Sequence, residues 1–204
     1  MARKQMVVNP AESSLNNYKL LIGAIVPRPI AFVSTVSAAG VFNLAPFSFF
    51  NAVCAEPPVI TFACGCRIPE KDTLANVRTT GEFVVNIVTE DIAERMNVCS
   101  GEYPPGVSEF QVSGLTAVAS DLVRAPRVAE SPVNLECRVV QIVDVSKKPL
   151  GGSLVIGEVV CFHIDEGLAT NFRIDAEKLR AVGRLGGDQY TRTRDRFSMV
   201  RPRV

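Results

Sequence analysis

Residues 133–164, VNLECRVVQIVDVSKKPLGGSLVIGEVVCFHI, contain the longest strand signal in the chain. Two extended runs, Val133 to Val145 and Ser153 to Ile164, are rich in β-branched residues and flank the segment KKPLGG at 147–152. A connection with proline and glycine between two such runs is typical of an antiparallel hairpin. We therefore expect long antiparallel strands to dominate the fold.

Shorter elements surround this hairpin on the N-terminal side. Further strands are predicted at Ile30 to Val36, Val41 to Leu44, Val59 to Ala63 and Glu82 to Val88. Helices are predicted near Ala11 to Ile22, at Lys71 to Thr79 with Asp72 as N-cap and Gly81 as its end, and at Glu90 to Val98 with Thr89 as N-cap. No G-x-G-x-x-G motif follows a strand, which disfavours a Rossmann site. The pattern predicts a mainly β protein with short helices, folded as an antiparallel barrel or sandwich.

Length and charge limit the classes of function. A chain of 204 residues with 47% hydrophobic residues is expected to form a single domain, residues 1–204, with a large core. Its 22 Lys and Arg nearly balance 21 Asp and Glu, so charge gives no reason to expect nucleic acid or an anionic membrane as partner. The start, MARKQMVVNP, lacks the apolar core of a signal peptide, and no run approaches the roughly 18 apolar residues of a membrane span. We expect a cytoplasmic protein with a small-molecule partner.

Few side chains suit catalysis or metal binding unaided. Of the six cysteines, only Cys64 and Cys66 are close in sequence, and their spacing is not the C-x-x-C of zinc or redox sites. His163 is the only histidine, which excludes most nucleophile–histidine–acid arrangements and disfavours a metal site. A hydrogen-bonded imidazole at a strand end is the expected role of His163. If the protein is an enzyme, a cofactor is expected to carry the difficult step.

The segment Asn43-Leu44-Ala45-Pro46-Phe47-Ser48 is too irregular in sequence for a regular ladder and too apolar for an ordinary turn. Asn43 and Ser48 offer hydrogen-bonding groups, whereas the phenylalanines on either side of Ser48 offer apolar surface. A flat heteroaromatic ring needs apolar contact on its faces and polar partners at its edge. The alternative is that these phenylalanines only fill the core of the barrel.

A second segment, CRIPEKDTLANV, places Arg67, Lys71 and Thr73 around the start of a predicted helix. Free N–H groups at a helix start attract phosphate, and these three side chains could neutralise it or hydrogen-bond to it. If Asp72 caps the helix, its carboxylate competes for the same N–H groups. The alternative is a capped helix with solvated charges.

Together these segments resemble a known family. The matching residues are RPIA at 28–31, Ser34-Thr35, Gly40, NLAPFSFFN at 43–51, Pro57-Pro58, KDT at 71–73, GEFVVN at 81–86, GEVV at 157–160 and GRLGG at 183–187 with Tyr190. Their order is similar to that of the flavin reductase-like, FMN-binding split-barrel family, in its flavoredoxin-like branch. The resemblance spans about residues 20–202.

The resemblance implies a split antiparallel β-barrel that works as a homodimer with FMN near the subunit interface. It implies an oxidoreductase in which NADH or NADPH reduces flavin, with electrons passing to a second acceptor or to an electron-accepting partner protein. The cofactor-binding residues that it implies are Arg28, Thr35, Asn43, Leu44, Ala45, Pro46, Phe47, Ser48, Phe49, Arg67, Lys71, Asp72, Thr73, Gly186 and Tyr190. No catalytic proton donor is identified, and His163 is the one candidate for a role beside the cofactor. The alternative is a flavin or haem binder, or an electron carrier, with little catalysis of its own.

Overall fold

The computed structural model describes residues 3–104 and 106–203, so Met1, Ala2, Pro105 and Val204 of the expected domain lie outside it. The strands are β1 Ala31–Val36, β2 Phe42–Phe47, β3 Phe50–Ala55, β4 Pro58–Gly65, β5 Glu82–Ile87, β6 Ala117–Val118, β7 Arg127–Val128, β8 Val133–Ser146, β9 Gly152–Ile164, β10 Ala169–Thr170, β11 Arg173–Ile174, β12 Val182–Arg184 and β13 Tyr190–Arg192. The helices are α1 Ser14–Ala24, α2 Asp72–Thr80, α3 Ala93–Val98, α4 Glu109–Ser113 and α5 Ala176–Leu179. Within the described ranges, no helix is both long enough and apolar enough to cross a membrane.

Seven strands form one antiparallel sheet in the order β2-β1-β5-β8-β9-β4-β3. The two strands at its ends, β2 and β3, are joined by only Ser48 and Phe49. Such a connection spans only about 7 to 10 Å, so the two ends of the strand order must lie side by side. The sheet is therefore curled into a barrel that is split where β2 leads into β3, and the prediction of a split antiparallel barrel is confirmed.

The long hairpin of β8 and β9 has the predicted position. Its ladder runs from Val133 opposite Ile164 to Ser146 opposite Gly152, with three register shifts on the way. Gly157 lies near the middle of β9, where a Cβ atom would come within 2.5 Å of the Phe83 ring. Glycine is therefore needed at this point for the ring to fill the barrel.

The barrel interior is packed around three phenylalanines. Phe62 lies between Phe47 and Phe83, with ring centroids 5.1 Å and 5.3 Å apart, respectively. Burying a phenylalanine side chain contributes roughly 1.5 to 3 kcal/mol, so this cluster is a main source of stability. A second cluster, outside the barrel, packs Phe32 and Leu44 against Met96 of α3 and Phe110 of α4.

The segment 43–48 is more regular than its sequence suggested. All six residues of β2 pair with β1, including Pro46 opposite Phe32, so the prediction of an irregular segment was wrong. Proline fits because β2 ends the strand order and its outer side needs no ladder partner. The irregularity is confined to Ser48 and Phe49, where the barrel is split.

Two predicted helix starts also need correction. Helix α2 begins at Asp72 instead of Lys71. Its N-cap is Lys71 instead of Asp72, and Lys71 makes no side-chain cap hydrogen bond. Helix α3 begins only at Ala93 instead of Glu90, with Ile92 as N-cap instead of Thr89. Thr89 instead forms a bridge with Ala181, which keeps the backbone before α3 extended. The predicted end of α2 is confirmed, since Gly81 has φ +70° in the left-handed region.

Candidate functional site

Two neighbouring cavities lie beside β2, and both are bounded by Pro46 and Ser100. The first, about 220 Å³, lies between α1, the end of β2 and residues 184–190. The second, about 110 Å³, lies at the start of α2. We call them the ring cavity and the anion cavity. Because Pro46 and Ser100 bound both of them, the two cavities adjoin.

The anion cavity contains the N-terminus of α2. Because α2 has no side-chain cap, its first N–H groups keep their capacity to donate, and the positive end of the helix dipole attracts an anion. Lys71, Asp72 and Thr73 line the cavity together with Arg67. Arg67 is 3.6 Å from the highly exposed Glu102, and such an exposed pair contributes little stability. Because no side chain caps α2, the Asp72 carboxylate does not compete for the first N–H groups of the helix.

A buried hydrogen bond fixes β2 against α2. The Nδ2 group of Asn43 donates to Thr73 Oγ1 over 2.9 Å, and both side chains are buried. One strand further in, Asn76 Nδ2 donates to Thr35 Oγ1 over 3.0 Å. Thr35 is fully buried, so its contact is with the helix and not with either cavity. These two hydrogen bonds hold strands β1 and β2 against helix α2.

Glu109 of α4 forms part of the wall of the anion cavity. Its Oε2 accepts a hydrogen bond of 2.9 Å from the backbone N–H of Leu44. Burial raises the pKa of Glu109, and this outweighs the lowering by the Leu44 N–H group. Glu109 therefore positions β2, and when ionised it opposes the binding of an anion in the same cavity.

Arg28 lines the ring cavity, and its guanidinium donates hydrogen bonds to the protein itself. It donates to the carbonyl oxygens of Ile22 and Ile25, each over 2.7 Å, and to that of Leu185 over 2.8 Å. Its Nε also donates to Ser48 Oγ over 3.3 Å. Burial, together with the nearby charge of Arg184, lowers the pKa of Arg28, but a guanidinium remains charged. Arg28 thus ties α1 and β12 to the Ser48 turn.

Aromatic residues flank the ring cavity. Arg184 lies over the ring of Tyr190, with its Cζ 4.3 Å from the centroid, and the Tyr190 hydroxyl donates to Asn97 Oδ1 over 3.1 Å. Phe49 also lines the cavity, with 43% of its surface exposed. An exposed phenylalanine and a tyrosine facing a cavity offer the faces that a flat ring needs.

Most of the predicted cofactor residues come together here. Twelve of the fifteen line a cavity, namely Arg28, Asn43, Ala45, Pro46, Phe47, Ser48, Phe49, Arg67, Lys71, Asp72, Thr73 and Tyr190. Thr35 and Leu44 are fully buried behind them. Gly186 packs against α1, and a Cβ there would lie 3.7 Å from Gly23. His163 lines neither cavity, so the geometry gives no support to a role beside the cofactor or to a haem ligand.

Residues outside the predicted set complete the site. They are Tyr18, Ile22, Ile30, Met96, Asn97, Arg184, Leu185 and Gly187 in the ring cavity, Cys99, Gly101, Glu102, Tyr103 and Glu109 in the anion cavity, and Ser100 in both. Most belong to α1, to α3 and the turn after it, or to the segment after β12, which are far apart in sequence. Tyr18 lies within the helix predicted near Ala11 to Ile22, but its exposure at the cavity is visible only in the structure.

Comparison with known proteins identifies the family of this chain. Residues 23–180 match the family described as "Flavin reductase like domain". The chain belongs to the flavin reductase-like family. This flavin reductase-like chain is 45% identical over 207 residues to an uncharacterized protein of Halalkalibacterium halodurans, with 98% of each chain covered. The family predicted from sequence is therefore confirmed.

Two solved structures extend the comparison of this flavin reductase-like chain. It is similar to nitrilotriacetate monooxygenase component B from Bacillus cereus, with 37% identity, a TM-score of 0.93 and coverage of 97% of this chain and 100% of that chain. It is also similar to 2-nitrobenzoate 2-nitroreductase from Pseudomonas fluorescens, with 34% identity, a TM-score of 0.88 and coverage of 97% and 96%, respectively.

Proposed function

We propose that this protein is an FMN-binding oxidoreductase, an NAD(P)H-dependent flavin reductase that passes electrons to a second acceptor. The observation that carries the proposal is the uncapped start of α2 with Lys71 and Arg67 beside it, adjoining a cavity bounded by Phe49 and Tyr190. A phosphate suits the first part and a heteroaromatic ring suits the second. The family assignment and the similarity to component B of a monooxygenase support the same activity.

The residues present fit FMN. Lys71, Thr73 and the first N–H groups of α2 would hold the phosphate, and Arg67 would neutralise it once released from Glu102. Asn43 and Ser48 would hydrogen-bond along the ligand, while Pro46 and Phe49 would contact its apolar surface. When bound, FMN would supply the redox chemistry, accepting hydride from a reduced nicotinamide.

The protein's own contribution is positioning and exclusion of water. The Arg28 hydrogen bonds fix the Ser48 turn, and the Ser48 hydroxyl, which accepts from Arg28 Nε, keeps its own proton to donate into the cavity. The Glu109 bond to Leu44 fixes the strand between the two cavities. No proton donor among these residues is assigned to the reaction.

We further propose that one domain of residues 1–204 acts in the cytoplasm as a homodimer. Large apolar side chains remain exposed in the monomer, including Leu21 of α1, Val53 of β3, Val140 of β8 and Phe162 of β9. Exposed apolar surface of this extent is common at subunit interfaces. Light scattering on the purified protein would test the dimer, which predicts twice the 22.1 kDa chain mass.

A nicotinamide oxidation assay tests the activity. The protein with FMN should oxidise NADH or NADPH, with turnover sustained by free flavin or a quinone, whereas Lys71→Ala should need more FMN to reach the same rate. Lys148→Ala, a lysine on the β8–β9 turn, is the matched control and should behave as wild type. FMN-loaded protein that oxidises neither nicotinamide with any flavin or quinone acceptor would overturn the reductase assignment.

A further inference from the structure

We propose that Asp121, Glu136, Cys161 and His163 form a Zn²⁺-binding site where the β8–β9 hairpin meets the loop before β7. One potential ligand atom from each of these residues lies within 4.8 Å of the other three. None of the four residues lines the ring cavity or the anion cavity. The site is thus separate from the proposed flavin site and does not depend on the proposed activity.

The strands bring these residues together. In the β8–β9 ladder, Glu136 is opposite Cys161 and Asn134 is opposite His163, while Cys161 and His163 are two residues apart on the same face of β9. Asp121 comes from the loop before β7, which the Glu136 carboxylate holds by hydrogen bonds from the backbone N–H groups of Asp121, Leu122 and Val123. Residues from a loop and two strands therefore converge on one point.

The convergence is on a single ring nitrogen. Glu136 Oε1 is 2.5 Å from His163 Nε2, and Cys161 Sγ is 3.5 Å from the same atom. A nucleophilic triad would need the acid on one ring nitrogen and the thiol on the other. The thiol and the carboxylate instead face the same ring nitrogen, so the three groups could bind one metal ion, with Asp121 within 4.8 Å as a fourth ligand.

The donor set is compatible with zinc. One thiolate, one imidazole and two carboxylates give the four sulfur, nitrogen and oxygen ligands of a tetrahedral zinc site. Tetrahedral bonds of about 2.0 to 2.3 Å place ligand atoms roughly 3.3 to 3.7 Å apart, which the Cys161 to His163 distance of 3.5 Å meets. The His163 to Glu136 distance must lengthen by about 1 Å, as a proton between them gives way to the ion.

Access and charge also suit an ion. Glu136 is fully buried, whereas Asp121 is exposed and Cys161 is partly exposed, which leaves an entry path. On binding, the Cys161 thiol loses its proton to solvent, and His163 keeps its remaining proton on Nδ1. Four protein ligands leave no open position, so the ion would be structural and would tie the 119–125 loop to the hairpin.

Metal titration of the full chain, treated with EDTA and desalted, tests the site. Co²⁺ is the probe, because thiolate ligation gives a charge-transfer band and tetrahedral geometry gives strong visible bands in the difference spectrum. Wild type should show both bands with one Co²⁺ per chain, and Zn²⁺ should abolish them. Zn²⁺ affinity, measured by competition with a chromophoric chelator, should fall at least tenfold in Cys161→Ser.

The matched control is Cys66→Ser, which removes a partly buried thiol near Cys64 and leaves the proposed ligands intact. It should keep the cobalt spectrum, whereas Cys161→Ser should lose the charge-transfer band. His163→Gln provides a second test at the same site, and circular dichroism checks that each variant is folded. Wild type without a thiolate–cobalt band, or a Cys161→Ser protein that binds Zn²⁺ as tightly as wild type, would overturn the proposal.

Discussion

The side chain of Asn43 donates a 2.9 Å hydrogen bond to the hydroxyl of Thr73, joining the edge strand β2 to the first turn of α2. Both residues are buried, and both line the anion cavity. The strand carries the residues proposed to contact the ring, and the helix carries those proposed to bind phosphate. This bond therefore sets the distance between the two ends of the site.

Removal of the Thr73 hydroxyl should destabilise the protein. In Thr73→Val the shape is kept, but the buried Asn43 Nδ2 group loses its acceptor, which costs about 1 to 3 kcal/mol. Urea unfolding should show this loss, and Thr73→Ser, which keeps the hydroxyl, should lie close to wild type. Equal stability of the valine and serine variants would contradict the role given to this bond.

The Lys71 ammonium should contribute directly to FMN affinity. A charge-assisted hydrogen bond to phosphate is worth roughly 1.5 to 3 kcal/mol, so Lys71→Ala should raise the Kd for FMN about tenfold to a hundredfold. Fluorescence titration measures the Kd, and riboflavin, which lacks the phosphate, should bind wild type and variant alike. A variant that loses FMN and riboflavin equally would place Lys71 outside the phosphate site.

Neutralising Glu109 should strengthen anion binding. In the Glu109→Gln variant the side-chain amide oxygen can still accept from Leu44 N–H, yet the amide carries no charge to repel phosphate. The folded-state pKa of Glu109 is raised, so its protonated form stabilises the fold below the ordinary pKa, and that stability is lost as pH rises through the raised pKa.

The Glu109→Gln variant should therefore gain stability over wild type at neutral pH and bind FMN more tightly there. Both differences should shrink as the pH falls toward 4.5. FMN titrations and urea unfolding at pH 7 and pH 5 measure them. A variant with weaker FMN binding at neutral pH would show that Glu109 assists the ligand.

Arg28 should matter for stability because its guanidinium donates to three partly buried carbonyl groups at once. In Arg28→Met the carbonyls of Ile22, Ile25 and Leu185 lose their donor, which should cost roughly 0.5 to 1.5 kcal/mol for each bond because water can reach these partly buried groups. Arg28→Lys keeps the charge but not the planar set of donors, so its loss should be intermediate. Urea unfolding measures the free energy of unfolding of wild type and both variants. An Arg28→Met protein as stable as wild type would contradict this role of Arg28.

Glu90 should make stability depend on pH. Hydrogen bonds from Arg194, opposed by partial burial and assisted by Arg180, lower the pKa of Glu90 to about 2. A lowered pKa means that the ionised group stabilises the fold above its ordinary pKa of 4.5, and that this is lost as pH falls toward about 2. Glu90→Gln should be less stable than wild type at pH 6, with the difference smaller at pH 2.5. A difference that is the same at both pH values would contradict the pairing with these arginines.

Much of the fold and of the site follows from local sequence. The runs rich in β-branched residues predict each end of β8 and β9 to within one residue. Gly81 marks the end of α2 because only glycine readily adopts its positive φ. The N-cap of α2 is predicted one residue late, at Asp72 instead of Lys71, because a lysine is not a usual N-cap. Nothing local could show that Arg28 bonds to Leu185, 157 residues away, or that Glu109 reaches Leu44 across 65 residues. Those contacts exist only once the barrel has closed.

The proposed function requires that the two cavities bind FMN. The most direct measurement is the visible spectrum of the protein after incubation with FMN and desalting, with the chromophore then released by heat and identified, and with an FMN titration alongside. A site of this kind should give retained or saturable FMN at one per chain, with weaker binding in Lys71→Ala. A colourless protein that shows no saturable FMN binding in the titration would contradict it.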